Sequence, residues 1–280
     1  MNDTKREYSS YGKILLPLLM YRRPIVPHVC NWGDHKDQYA LYFEAPEKKE
    51  DKLVVYINGG GWRNYAPRQH DFVGQTIAAQ GYDCVMLGYR KVPKFHYEQI
   101  VDDVFTGYVK MRSVLKDHGH TYSKIVAMGS SAGAHLAAIL CFDDELKAKY
   151  DIAEDEFAGL LSMAGPMSFE HIEVPDIRRL VRDLFDSDDR EVWKKGEPML
   201  KLKNIPGFKV RMVQSAHDGL VGMEQARDFA AKAASLGMDS SLYEVTDAWD
   251  THSLYCVGVF LLKPEKSGTL TKTLEMIAEI

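Results

Sequence analysis

Cysteine is scarce in this 280-residue chain: four residues, Cys30, Cys84, Cys141 and Cys256, each standing alone with no C-x-x-C pair. That spacing offers neither a disulfide framework nor a thiolate metal site; the three that sit in apolar runs are expected to be small buried hydrophobes, and the pattern fits a reducing compartment. A basic surplus is also missing. The net charge of -5 and a pI of about 6.1 leave nothing to neutralise phosphates, so no nucleic-acid partner is expected. Long apolar runs are absent too. The N-terminal stretch "ILLPLLMY" (Ile14 to Tyr21) is far short of the roughly 18 apolar residues that suggest a membrane-spanning helix, and Pro17 interrupts it. It leads into "RRPIVP" rather than a small-residue cleavage site, which argues against a leader and predicts a cytoplasmic protein without a membrane partner. No repeat or low-complexity segment stands out, and neither a metal nor a cofactor is expected.

What the chain does contain is a regular alternation. Near-continuous apolar runs at Leu53–Asn58, Cys84–Tyr89, Lys124–Gly129 and Gly159–Gly165 read as strands buried on both faces. Phe208–Ser215 and Ser240–Val245 complete the set, and Tyr39–Pro46 alternates and stops at proline as an edge strand does. Helical periodicity lies between them: Ile100, Val104, Tyr108, Met111 and Leu115 form one stripe. Met223–Leu236, stopped by Gly237, and Leu270–Ile280 follow the same rule. The predicted class is α/β, a mostly parallel central sheet flanked by helices, in one domain spanning 1–280. The charged stretch 166–206, with an amphipathic piece near Ile177–Phe185, breaks the rhythm. It reads equally as a surface excursion or as a lid.

The chemistry concentrates in "KIVAMGSSAGAHLAAIL" (Lys124 to Leu140). A G-x-S-x-G pattern places a serine on a sharp strand-to-helix turn, with glycines where a β-carbon would collide with backbone. Centred on Ser130 the flanks would be Met128 and Ala132; centred on Ser131 they are Gly129 and Gly133, so Ser131 is the candidate nucleophile. A serine hydroxyl needs a base and an oxyanion stabiliser. Upstream, "NGGGW" (Asn58 to Trp62) follows a buried strand, and its bare N–H groups suit an oxyanion beside the N–H of Ala132. Downstream, Asp218 and His252 each follow a predicted strand, and the order Ser131, Asp218, His252 fits a nucleophile–acid–base set. Asp247 and Asp250 compete as the acid and His217 as the base; His135 reads as a packed or capping residue.

These motifs resemble the α/β-hydrolase fold, and within it the hormone-sensitive-lipase-like esterases with an H-G-G-G motif. The likeness covers about Leu53 to Tyr255. "NGGGW" is similar to that motif, with Asn58 in place of its histidine. "GYRKVPKFHYEQIVDDV" resembles the Y-R-x-x-P segment leading to a helix, whose Asp103 is then structural. "GSSAGAHLA" resembles the elbow of kynurenine formamidases and of small acetyl and feruloyl esterases, and Ser215 stands where a glycine often precedes the acid. The resemblance implies Gly60, Gly61 and Ala132 as oxyanion donors, Asn58 as a brace for their loop, and a short cap.

The expected activity is hydrolysis of small or carbohydrate-linked acyl esters through an acyl-enzyme. An arylformamidase acting on N-formylkynurenine is one alternative, and a catalytically silent binding module is another. Where the insert 166–206 is a lid, it covers the site together with the segment 1–37, a candidate part of the cap. Trp62, Trp32 and Ser130 are expected to touch substrate, and Tyr11, Tyr21 and Trp193 are further candidates for its pocket. The partner expected is a small-molecule ester, with a homo-oligomer left open.

Overall fold

The computed structural model describes residues 3–170, 172 and 174–280, so His171 and Glu173 of the expected insert lie outside the described residues, as do Met1 and Asn2. In chain order the elements are α1 (Asp3–Ser10), α2 (Gly12–Met20), β1 (His28–Asn31), β2 (Tyr39–Phe43), β3 (Lys52–Ile57), α3 (Asp71–Ala79), β4 (Asp83–Leu87) and α4 (Tyr97–Asp117). Then come β5 (Lys124–Ser130), α5 (Ala132–Phe142), α6 (Asp144–Lys149), β6 (Gly159–Met163), α7 (Pro175–Phe185), α8 (Arg190–Trp193) and α9 (Pro198–Lys201). The chain closes with β7 (Lys209–Gln214), α10 (Met223–Ser235), β8 (Asp239–Glu244), α11 (His252–Cys256) and α12 (Gly268–Glu279).

The strands form one sheet in the order β1-β2-β4-β3-β5-β6-β7-β8, parallel from β4 to β8 and antiparallel at β2. The expected α/β class with a mostly parallel sheet is what the chain adopts. One strand corrects the sequence reading. Tyr39–Phe43 is not the edge, because β1 pairs outside it through His28↔Tyr42 and Asn31↔Tyr39, leaving all five β2 residues buried. Helices cover both faces, and strand residues alternate between two apolar layers. Val55, Ile57 and Ala127 face one layer, and Val54, Tyr56 and Met128 the other. Each large aliphatic buried this way contributes about 1.5–3 kcal/mol relative to exposure.

This topology decides where reactive groups meet. The register Ile57↔Gly129 sets the loop after β3 beside the turn after β5. Gln214↔Glu244 aligns the ends of β7 and β8 on the same side of the sheet. The stretch 166–206 leaves the same end of β6 and supplies α7, α8 and α9. The N-terminal apolar run, left without an element in the sequence reading, is the helix α2, with Pro17 inside it.

Candidate active site

Ser131 is the residue between β5 and α5, at φ 52° and ψ -124°, a left-handed conformation rare outside glycine. The flanking glycines are there for want of space. A β-carbon on Gly129 would lie 2.3 Å from the Gly133 carbonyl oxygen, and one on Gly133 would lie 2.0 Å from that of Ile57. The turn is further pinned by the Ser131 N–H, which donates to Met163 O at 2.8 Å.

Three residues distant in sequence meet at this turn. His252 Nε2 lies 2.9 Å from Ser131 Oγ, and His252 Nδ1 lies 2.7 Å from Asp218 Oδ2. An ionised carboxylate only accepts, so Nδ1 carries the ring proton in the neutral imidazole and Nε2 is left to accept from the serine hydroxyl. Asp218 is held on both oxygens. Oδ1 accepts from the N–H groups of Leu220 (2.9 Å) and Val221 (2.8 Å), and Oδ2 also accepts from Tyr255 Oη (2.6 Å) and Gln214 Nε2 (3.3 Å). Burial of His252 pulls its pKa down, but the charge and hydrogen bond of Asp218 outweigh that, Glu7 adds to them, and the net displacement is upward.

The competing residues are engaged elsewhere. Asp250 receives Arg6 Nη2 on both oxygens, at 2.7 and 2.8 Å. Asp247 accepts from the Trp249 and Thr269 N–H groups and from Ser267 Oγ. His217 is exposed, 3.9 Å from Asp3. His135 is fully buried, donates from Nε2 to Gly196 O at 2.7 Å, and receives Trp62 Nε1 on Nδ1 at 3.3 Å. Its burial lowers the pKa to about 4, so it stays neutral, the packed residue that the sequence suggests.

The glycine loop after β3 sits against the serine turn. Gly60 and Gly61 adopt φ 113° and 62°. Among the described residues the N–H groups of Gly60, Gly61 and Ala132 have no protein acceptor, whereas the Gly59 N–H donates to Ser130 Oγ at 3.3 Å. The brace expected from the Asn58 side chain is made otherwise. Its Nδ2 reaches only the adjacent Gly59 O, its Oδ1 has no partner, and Tyr89 Oη holds the Asn58 carbonyl at 2.9 Å instead. Asp103 joins this support at one remove, accepting from the Arg90 N–H and from its Nε.

A cavity of about 600 Å³ opens over Ser131 and His252. Ile14, Leu15 and Leu18 of α2 form one wall, and Ile177 and Leu180 of α7 another. Of the aromatics expected there, only Tyr11 lines it. Trp62 is buried against His135, Trp193 donates to Ser187 O within the core, and Tyr21 donates to Phe72 O at 3.1 Å. Trp32 packs over Gly107 of α4. Trp62 and Trp32 are thus absent from the cavity wall, a correction whose cause is that each has a core site to fill. Ser130 does border the cavity, but its hydroxyl is taken up by Tyr56 Oη at 2.7 Å and by the Gly59 N–H. The wall residues Tyr8, Tyr65, His70 and Phe72 carried no sequence signal, because no motif surrounds them. Burial, aided by Lys91, lowers the pKa of His70 to about 4, so it lends the wall a neutral ring. Among the described residues no group of three or more His, Cys, Asp or Glu could hold a metal ion, and no helix is long and apolar enough to cross a membrane.

The chain is similar to known proteins in sequence and in fold. A family model described as BD-FAE matches residues 40–233. Esterase LipC of Mycobacterium tuberculosis is 27% identical over 233 residues, covering 76% of this chain and 56% of that protein. A kynurenine formamidase of Salmo salar is 33% identical over 119 residues, covering 42% of this chain and 38% of that one. The chain therefore spans between a third and about half the length of these curated relatives. Esterase B from Lactobacillus rhamnosis, a solved structure, superposes with a TM-score of 0.78 at 14% identity, covering 99% of this chain and 94% of that one, which is a likeness of fold.

Proposed function

The chain belongs to the BD-FAE family, an α/β-hydrolase family, and from that premise and the site's geometry we propose that it is a serine carboxylic ester hydrolase. The observation that carries this reading is the file Ser131 Oγ, His252 Nε2, His252 Nδ1, Asp218 Oδ2, with separations of 2.9 and 2.7 Å at its two hydrogen bonds. Ser131 attacks the acyl carbonyl while His252 takes the hydroxyl proton. Asp218 holds the imidazole and stabilises the imidazolium, and the N–H groups of Gly60, Gly61 and Ala132 receive the oxyanion. His252 then protonates the departing alcohol, and water, activated by the same imidazole, releases the acid. In this reading 1–37 and 166–206 are the cap of a single 1–280 domain, and the cavity under α2 and α7 takes a small or carbohydrate-linked acyl ester. Labelling by a fluorophosphonate, mapped to Ser131 and lost in Ser131→Ala, tests the assignment. An unlabelled protein indicates instead a silent binding module.

A second reading, hydrolysis of N-formylkynurenine, uses the same residues and is favoured by the 33% identity to the formamidase over 119 residues. Turnover of p-nitrophenyl acetate without turnover of N-formylkynurenine removes it.

A further inference from the structure

The helix α1 reaches both loops that carry the acid and the base. Thr4 Oγ1 donates to Gly219 O at 3.0 Å, next to Asp218. Arg6 binds Asp250, Ser10 Oγ lies 2.8 Å from Thr251 Oγ1, and Glu7 Oε1 accepts the Ser253 N–H at 3.0 Å. Residues 250, 251 and 253, on both sides of His252, are therefore each tied to one helix. Glu7 is the unexpected member. It has 0% exposure, and its second oxygen, Oε2, is buried with no hydrogen-bond partner. A buried carboxylate left half unsatisfied is costly, so an apolar side chain would serve packing alone better.

We propose that Glu7 is a positioning residue for His252: it fixes the backbone beside the imidazole through Ser253 and sets a second carboxylate within electrostatic reach of the ring. The inference rests on the reading of Ser131, Asp218 and His252 as a triad. As the proton moves from Ser131 Oγ to Nε2, the ring becomes a cation, and a fixed anion already in place favours that state. The other groups facing His252 do not duplicate it. Asp218 is the other anion. Tyr255 and Cys256, on the same helix, are held protonated chiefly by burial, and burial pushes Tyr11 up to about 12. Arg6 and Asp250 compensate one another. At His252 burial and Asp218 act most strongly, and Glu7 adds a smaller upward push.

The test is Glu7→Gln, which keeps an acceptor for the Ser253 N–H and removes the charge, assayed with p-nitrophenyl acetate across pH 5–9. The expected result is an acid limb of kcat/KM moved down by about half a pH unit or more, with kcat reduced roughly fivefold and KM little changed. An acid limb in its wild-type place, or kcat within about twofold of wild type, overturns the inference. Ser10→Ala, which loosens the adjoining tie without touching a charge, checks the same strap if the first variant does not fold. A kcat about threefold lower is expected, and an unchanged kcat overturns it. Failure of the wild-type protein to label with fluorophosphonate at Ser131 would sink the triad reading itself. Labelling with an unmoved Glu7→Gln profile sinks only the role of Glu7.

Discussion

Tyr56 Oη lies 2.7 Å from Ser130 Oγ, inside the sheet, and the same serine oxygen accepts the Gly59 N–H. Ser130 therefore ties the serine turn to the glycine loop, two segments that the proposed mechanism needs in register to hold an oxyanion. Ser130→Ala is expected to lower kcat about tenfold with KM nearly unchanged, less than the loss of a direct oxyanion donor. Steady-state kinetics on p-nitrophenyl acetate decides it; a rise in KM alone would move Ser130 back to substrate contact.

Ser131→Ala removes the proposed nucleophile and leaves the cavity walls in place. Ester hydrolysis is expected to fall by about 10⁴-fold or more, without a drop in melting temperature. Because Ser131 sits at φ 52°, Ser131→Gly should instead stabilise the fold, by about 1 kcal/mol, while being equally inactive. Thermal unfolding of the two variants side by side checks this.

In the proposed mechanism His252 acts as a base only when neutral, so activity is expected to fall with decreasing pH through a pKa above the ordinary value near 6.5. Stability runs the other way. A pKa raised on folding contributes stability that is fully present below the unfolded-state pKa and is lost as pH rises through the folded-state one. Melting temperatures of wild type and His252→Ala, followed from pH 5 to 8, should therefore converge towards alkaline pH while activity rises. A gap that widens over that range would contradict the pairing with Asp218.

Tyr255→Phe takes away a 2.6 Å hydrogen bond from Asp218 Oδ2. The remaining donors keep the carboxylate in place, so a stability loss of about 1 kcal/mol and an activity loss of about threefold are expected. Denaturant unfolding and initial rates measure the two separately.

Gly133→Ala asks for a β-carbon 2.0 Å from the Ile57 carbonyl oxygen, a rigid backbone atom at the end of β3. A destabilisation of about 3 kcal/mol is expected, together with loss of activity, since the same displacement pushes the glycine loop away from Ser131. Soluble expression with wild-type rates would show that the turn relaxes in a way its packing does not suggest.

The parallel core was legible because strands buried on both faces read as unbroken apolar runs, and the serine turn because its glycines follow from steric exclusion at fixed spacing. Gly129 and Gly133 could be paired with Ser131 from spacing alone; Tyr255, Gln214 and Tyr56 could not, since their partners lie 37, 4 and 74 positions away and no motif links them. The edge strand was misplaced for a related reason. β1 has only four residues, largely exposed, so it shows no apolar run of its own, and its pairing is visible only once β2 is found buried. Trp62 and Trp32 were drawn to the cavity by their chemistry, which cannot separate a wall from a core. The ties from Thr4 and Arg6 of α1 to Gly219 and Asp250 were hidden because they bridge more than 200 positions.

The stretch 166–206 departs from the end of β6 and returns at β7, two strands locked side by side from Gly159↔Lys209 to Met163↔Val213. Its two ends are thus fixed by the sheet, while Trp193 and Gly196 within it also pack on the core and on His135. The walls it lends the cavity, Ile177 and Leu180, belong to it, whereas Ser131, Asp218 and His252 follow β5, β7 and β8. Lengthening such a closed excursion costs little, about 0.6 kcal/mol per doubling of a flexible loop. The cavity wall at Ile177 and Leu180 can accordingly change by substitution or lengthening within the segment, like a fitted part, while the strand ends that position Ser131, Asp218 and His252 keep their places.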